Sequence, residues 1–186
     1  MSILAIDIGG TKFSLALFVG QNMLLRSSRK TDREGGSAWM LAQIEEIVHE
    51  WRATHPIHRC GVGFGGPVNF VSQKVVLSTH VAGWDENPLV ETLMRILQVP
   101  VVMDNDANVG ALGEGTYGAG KDCRPLFYMT LSTGIGGGIL TDGGIYRGAD
   151  CYAGEIGHLT IRPEGPPCLC GSNGCLERMC CGLWLE

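Results

Sequence analysis

Residues 153–177 read AGEIGHLTIRPEGPPCLCGSNGCLE and constrain the chain more than any other stretch. One histidine and three cysteines, His158, Cys168, Cys170 and Cys175, fall close together in it. A histidine plus three thiolates is a complete tetrahedral donor set for zinc. Cys-x-Cys with a third cysteine five residues later supplies three soft donors in one knuckle, provided Gly171 and Gly174 take turn conformations. The plainer alternative is three reduced thiols and a surface histidine. Pro166, Pro167, Gly171, Ser172, Asn173 and Gly174 favour the metal, because they make the segment a loop. Buried structural cysteines do not usually cluster in loops. Glu155 and Glu177 stand at the two ends, and a metal that closes the loop brings them near each other.

The chain has eight cysteines, enough to raise the question of a disulfide framework. No signal-peptide pattern opens the sequence, and three of the eight have metal spacing, so Cys60, Cys123, Cys151, Cys180 and Cys181 are read as reduced thiols of a cytoplasmic protein. The formal net charge of −5 comes with no Lys/Arg block, which argues against a nucleic-acid surface. No apolar run is long enough to span a membrane. With 186 residues, 45% of them hydrophobic, the chain can bury a sizeable core in one large domain or two small ones.

Taken in order, residues 3–8 read as a buried strand, followed by Gly9-Gly10-Thr11-Lys12 and a second strand over 13–19. Backbone N–H groups of such a turn can hold a phosphate, Thr11 and Lys12 add donors, and Asp7 can bind a metal that travels with a nucleotide. An ordinary hairpin whose aspartate bonds its own turn fits this motif equally well. A third strand is expected over 22–29, a helix capped by Ser37 and running to about Thr54, and a strand over 59–64 that enters the turn Gly65-Gly66-Pro67-Val68. A short strand over 74–77 precedes a helix capped by Asn87 with Pro88 at its first position. A strand over 100–103 then leads into Asp104-Asn105-Asp106-Ala107-Asn108 and a helix. Strand, polar turn and helix place a side chain at the carboxyl end of a sheet, where ligands sit in open α/β folds. There Asp106 is either a general base or a helix cap. A strand over 126–131, a second glycine loop Ser132-Thr133-Gly134-Ile135-Gly136-Gly137-Gly138, a strand at 139–140, a turn at 142–144 and a short strand at 145–147 follow. Two strand–glycine–strand devices in one chain are more specific than either alone, and they suggest two related halves.

These motifs together resemble the ROK sugar kinases (repressor, open reading frame, kinase) of the actin-like, ribonuclease-H-like ATPase superfamily. Asp7-Ile8-Gly9-Gly10-Thr11-Lys12 resembles the first phosphate motif, and the segment containing Thr133, Gly134, Gly136 and Gly137 the second. Asp104-Asn105-Asp106-Ala107-Asn108 resembles the catalytic segment, with Asp106 in the place of the base. Ala153-Gly154-Glu155-Ile156-Gly157-His158 and Cys168-x-Cys170-Gly171-x-x-Gly174-Cys175-Leu176-Glu177 resemble the sugar and zinc motifs. The resemblance implies an α/β fold with a complete N-terminal lobe over 1–117 and the start of a second lobe over 118–186. It implies that Gly66, Asn105, Asp106, Glu155, His158 and Glu177 contact sugar hydroxyls, and that His158, Cys168, Cys170 and Cys175 hold a structural zinc.

The implied reaction is attack of a hexose 6-hydroxyl on the γ-phosphorus of ATP, with Asp106 taking the proton and Mg²⁺ accompanying the nucleotide. Glucose is the expected sugar. N-acetylmannosamine or N-acetylglucosamine is the alternative, and an inactive sugar-binding fragment is a further one. A zinc-knuckle interaction module leaves both hairpins and Asp106 unexplained. Family kinases are considerably longer than this chain and are often dimers or tetramers, so a homo-oligomer is expected of the whole protein. DNA-binding members carry a helix-turn-helix before the first phosphate motif. Here that motif starts at Asp7, so DNA binding is not expected.

Overall fold

The computed structural model describes residues 1–78, 81–142, 144–182 and 184. It forms two compact units, Met1–Asp106 and Ala107–Glu186. The expected 142–144 turn contains Gly143, and the C-terminal segment contains Leu183, Leu185 and Glu186. These four residues lie outside the described residues.

In the first unit, β1 (Ser2–Ile8), β2 (Lys12–Val19) and β3 (Asn22–Lys30) form an antiparallel meander. Strands β4 (Arg59–Phe64) and β7 (Val101–Asn105) add in parallel on the other side of β1, giving the order β3-β2-β1-β4-β7. A minor hairpin, β5 (Val68–Asn69) with β6 (Lys74–Val75), lies between β4 and β7 in sequence. Alternation decides which face is covered. Leu4, Ile6 and Ile8 share a face with Phe13, Leu15 and Leu17 of β2 and with Cys60, Val62 and Phe64 of β4, and all nine are buried. The helices α1 (Gly36–Arg52) and α2 (Leu89–Leu97) join the same core through Met40, Ile44, Ile47, Val48 and Trp51 and through Leu89, Val90, Leu93 and Leu97. Each fully buried side chain of this size contributes about 1.5–3 kcal/mol, so this layer is the principal support of the unit.

Both helix caps differ from the sequence expectation. Ser37 lies inside α1, whose N-cap is Gly35, and its hydroxyl donates to Gly83 O at 2.8 Å. Asn87 precedes Pro88, the N-cap of α2, and its Nδ2 also donates to Gly83 O, at 2.8 Å. The loop carrying the fully buried Trp84 must satisfy its own carbonyls, and it takes both side chains for that purpose.

In the second unit, β8 (Leu126–Leu131), β9 (Ile135–Thr141) and β10 (Gly144–Ile145) form a sheet of order β10-β9-β8. The helix α3 (Asp106–Tyr117) begins at the last residue of the first unit and packs on this sheet. The glycines 136–138, expected as loop, belong to strand β9. A Cβ on Gly138 would lie 2.5 Å from Ala107 O and 2.7 Å from Ala111 Cβ, so only glycine lets α3 lie this close to the sheet. The expected short strands shrink to Lys74–Val75 and Gly144–Ile145. A helix the sequence did not announce, α4 (Leu176–Cys180), follows the last cysteine of the knuckle.

Candidate functional site

In the first unit, three turns meet at the carboxyl ends of the parallel strands. The residue after β4, Gly65, donates its N–H to Ile8 O at 2.8 Å. A Cβ there would stand 3.4 Å from Asp106 Oδ2 and 3.5 Å from Gly9 Cα, so a bare backbone brings the β1–β2 turn and the Asp106 carboxylate together. Asn105 Nδ2 donates to Gly66 O at 3.1 Å, which fixes the amide beside the Gly65-Gly66 turn. Asp106 is the first residue of α3, and its neighbour Asp104 is buried and accepts from the Asn105 N–H at 2.9 Å.

The Gly9-Gly10-Thr11-Lys12 turn is held from the far end of β3. Thr31 Oγ1 donates to Gly9 O at 2.9 Å, Arg33 Nε to Gly10 O at 3.2 Å and Thr31 N to Thr11 O at 3.0 Å. Gly9 N closes the turn on Lys12 O at 3.0 Å. With these carbonyls engaged, the chemistry the turn can offer a ligand is donor chemistry, suited to an anion. The sequence reading missed Thr31 and Arg33, because two polar residues about twenty positions away carry no signal until β3 returns to the turn. Asp7 is the penultimate residue of β1, beside this turn. Burial pushes its carboxyl above the ordinary value, and the Lys12 ammonium partly offsets the shift. A cation bound there would offset it further.

The second unit brings together Glu155, His158, Glu177 and the knuckle. Burial raises the Glu155 carboxyl, nearby His158 lowers it, and the like charge of Glu177 raises it. Glu177 Oε2 accepts from the Ile135 N–H at 2.8 Å, and its carboxylate occupies the space a side chain on Gly134 would need. The second glycine hairpin therefore carries Thr133 and Gly134 in its turn, with Gly136 and Gly137 in the strand that follows.

The donor atoms of His158, Cys168, Cys170 and Cys175 all lie within 4.8 Å of one another. Cys170 Sγ and Cys175 Sγ are 3.6 Å apart, and Cys168 Sγ is 3.7 Å from His158 Nδ1. A disulfide needs about 2.05 Å. The edge of a tetrahedron with metal–sulfur bonds of about 2.3 Å is roughly 3.8 Å, and the observed spacing matches that. Gly171 and Gly174 have φ of +89° and +60°, as the knuckle requires. Burial, together with the neighbouring Cys170 and Cys168 sulfurs, pushes the Cys175 thiol up to about 12, while the Ser172 backbone N–H draws Cys170 down. A divalent cation reverses the first effect by binding thiolate. The four residues fit such an ion.

A mixed sheet with glycine turns at its ligand end, a second glycine hairpin and a Cys₃His cluster define a chain of the actin-like ATPase class. The chain belongs to the ROK family, whose family model matches residues 3–186. It is 36% identical over 179 residues to a glucokinase of Halalkalibacterium halodurans, an alignment covering 92% of this chain and 54% of the relative. A ROK family glucokinase from Streptomyces griseus, solved with glucose and AMPPNP, superposes with a TM-score of 0.90 at 31% identity, covering 100% of this chain and 59% of that one. A putative N-acetylmannosamine kinase from Listeria monocytogenes gives a TM-score of 0.84 at 28% identity, covering 100% of this chain and 62% of that one. The chain spans about half the length of the curated relatives it matches. No helix among the described residues is long and apolar enough to cross a membrane.

Proposed function

We propose that this chain is part of an ATP-dependent hexose kinase that phosphorylates the 6-hydroxyl of glucose. The observation that carries the reading is the meeting of Asp106 Oδ2 and the Gly9 turn at Gly65. It sets a carboxylate next to a turn that offers donors to an anion, the pairing phosphoryl transfer to a hydroxyl requires. Asp106 is the general base. Gly9, Gly10, Thr11 and Lys12, with Thr133, Gly134, Gly136 and Gly137, are assigned to the nucleotide phosphates, and Asp7 to the Mg²⁺ that enters with them. Gly66, Asn105, Glu155, His158 and Glu177 orient the sugar, so that the transferring groups are aligned before reaction. The Cys₃His cluster is assigned to structural zinc, because four protein donors leave no open coordination position. Reduced thiolates in that cluster suit a cytoplasmic setting. We further propose that the lobe boundary of the whole enzyme follows α3, near Tyr117.

The test is sugar-dependent ADP release with Mg²⁺-ATP and a panel of hexoses, measured on this chain and on the longest polypeptide that contains it. Asp106→Asn is expected to reduce turnover by about 10²–10⁴-fold with little change in sugar affinity. Equal turnover in the variant would remove Asp106 as the base. The likeness to the Listeria protein favours one second reading, an N-acetylmannosamine kinase. Preferential phosphorylation of that sugar over glucose would select it.

A further inference from the structure

The second glycine hairpin is held by more than its own strand pairing. Its turn is closed by Ser132 N donating to Gly134 O at 2.9 Å, and two bonds reach it from the segment that follows the last cysteine. Ile135 N donates to Glu177 Oε2 at 2.8 Å, and Gly182 N donates to Ser132 O at 2.9 Å. The first of these contacts comes from α4 itself, which is fixed elsewhere at its first residue and at its middle. Leu176 N bonds Leu159 O at 2.9 Å, next to the His158 ligand, and Arg178 Nε bonds Pro167 O at 3.0 Å, next to the Cys168 ligand. Cys175, the innermost ligand, is fully buried and is the N-cap of α4. Gly157 packs against Ile135 O so closely that a side chain there would have no room. The cluster, α4 and the hairpin turn are therefore joined by short, directional contacts on both sides of the turn.

We propose that Glu177 is a positioning residue that transmits occupancy of the Cys₃His cluster to the 132–135 turn. The cluster fixes Cys175, Cys175 starts α4, and α4 presents the Glu177 carboxylate to the Ile135 N–H. Metal binding then sets the backbone geometry of a hairpin that contains no metal ligand. The proposal rests on the kinase reading only for its catalytic consequence, which is that metal loss misplaces groups assigned to the nucleotide phosphates. It also divides the carboxylate. Oε2 holds the turn, and Oε1 keeps both of its acceptor sites for a sugar hydroxyl.

The experiment measures amide exchange and the ¹H–¹⁵N resonance of Ile135 in the zinc-loaded chain, without nucleotide or sugar, so that its outcome is independent of the kinase reading. In Glu177→Ala, Ile135 should exchange about tenfold faster or more and its amide proton should move upfield, at unchanged zinc content, because a charge-assisted bond is lost. Glu177→Gln keeps an acceptor and should restore most of the protection. Stripping zinc from the wild-type chain should accelerate Ile135 as the alanine variant does. Stripping zinc from Glu177→Gln gives the same comparison should the alanine variant fail to fold. Ile135 protection that survives either the alanine substitution or metal removal overturns the proposal.

Discussion

Asp7 illustrates what partial burial of a single carboxylate costs. Its folded pKa is raised by burial, so the native state holds the proton more tightly than the unfolded chain does. Stability from this group is therefore greatest below the ordinary value of 3.8 and falls as pH rises from there through the raised value. At neutral pH the penalty is fully present, though the exposed edge of the side chain keeps it below about 1 kcal/mol. Asp7→Asn should raise Tm at pH 7 by up to about 3 °C and flatten the acid limb of the stability profile. An unchanged or lowered Tm would mean that the carboxylate is stabilised by its surroundings. At this scale the sequence was informative where residue type dictates chemistry, as at His158, Cys168, Cys170 and Cys175, whose donor atoms converge. It was silent where a role depends on what returns to the site. Gly65 read as a plain turn, and its value lies in the Asp106 and Gly9 atoms that approach it.

Among the elements, β9 and α3 show how a residue type can mislead about secondary structure and still be informative. The glycines 136–138 read as loop because glycine usually marks one. They are strand because a helix presses on them, a tertiary demand that no local pattern expresses. Two glycines in contacting elements should therefore respond oppositely to alanine. Gly138→Ala forces a methyl into Ala107 O and Ala111 and should cost about 1–3 kcal/mol. Gly113 sits within α3 with nothing near its missing Cβ, and Gly113→Ala should stabilise by about 0.5–1 kcal/mol. Chemical denaturation of the two variants decides the matter, and equal effects would remove the packing argument. The strands of the first unit were legible because short apolar runs bounded by glycine turns mark them, and within those runs Leu4, Ile6 and Ile8 face Phe13, Leu15 and Leu17. The helix caps were not, since one carbonyl, Gly83 O, recruits both Ser37, 46 residues before it, and Asn87, four residues after it.

For the whole molecule, the Cys₃His cluster lies in a region with little regular structure, where a bound ion would carry a disproportionate share of order. Structural zinc supplies roughly 10–16 kcal/mol in isolated fingers, and even a quarter of that exceeds the roughly 1 kcal/mol of an ordinary substitution. Chelation, or Cys170→Ser, should remove the metal and lower the melting temperature together. Metal content and melting that both stay at wild-type values would refute the cluster's structural role. The order of the ligands in the chain also fixes an order in time. The sheet of the first unit is complete once β7 has been made, at Asn105, whereas the last donor, Cys175, appears about 70 residues later. At roughly 5–20 residues per second, a ribosome takes some seconds to cover that distance. The nascent chain thus spends those seconds with one finished sheet and an unclosed knuckle. A metal that fills the cluster would therefore meet a polypeptide whose first sheet is already built, and would close the knuckle on a partly folded chain.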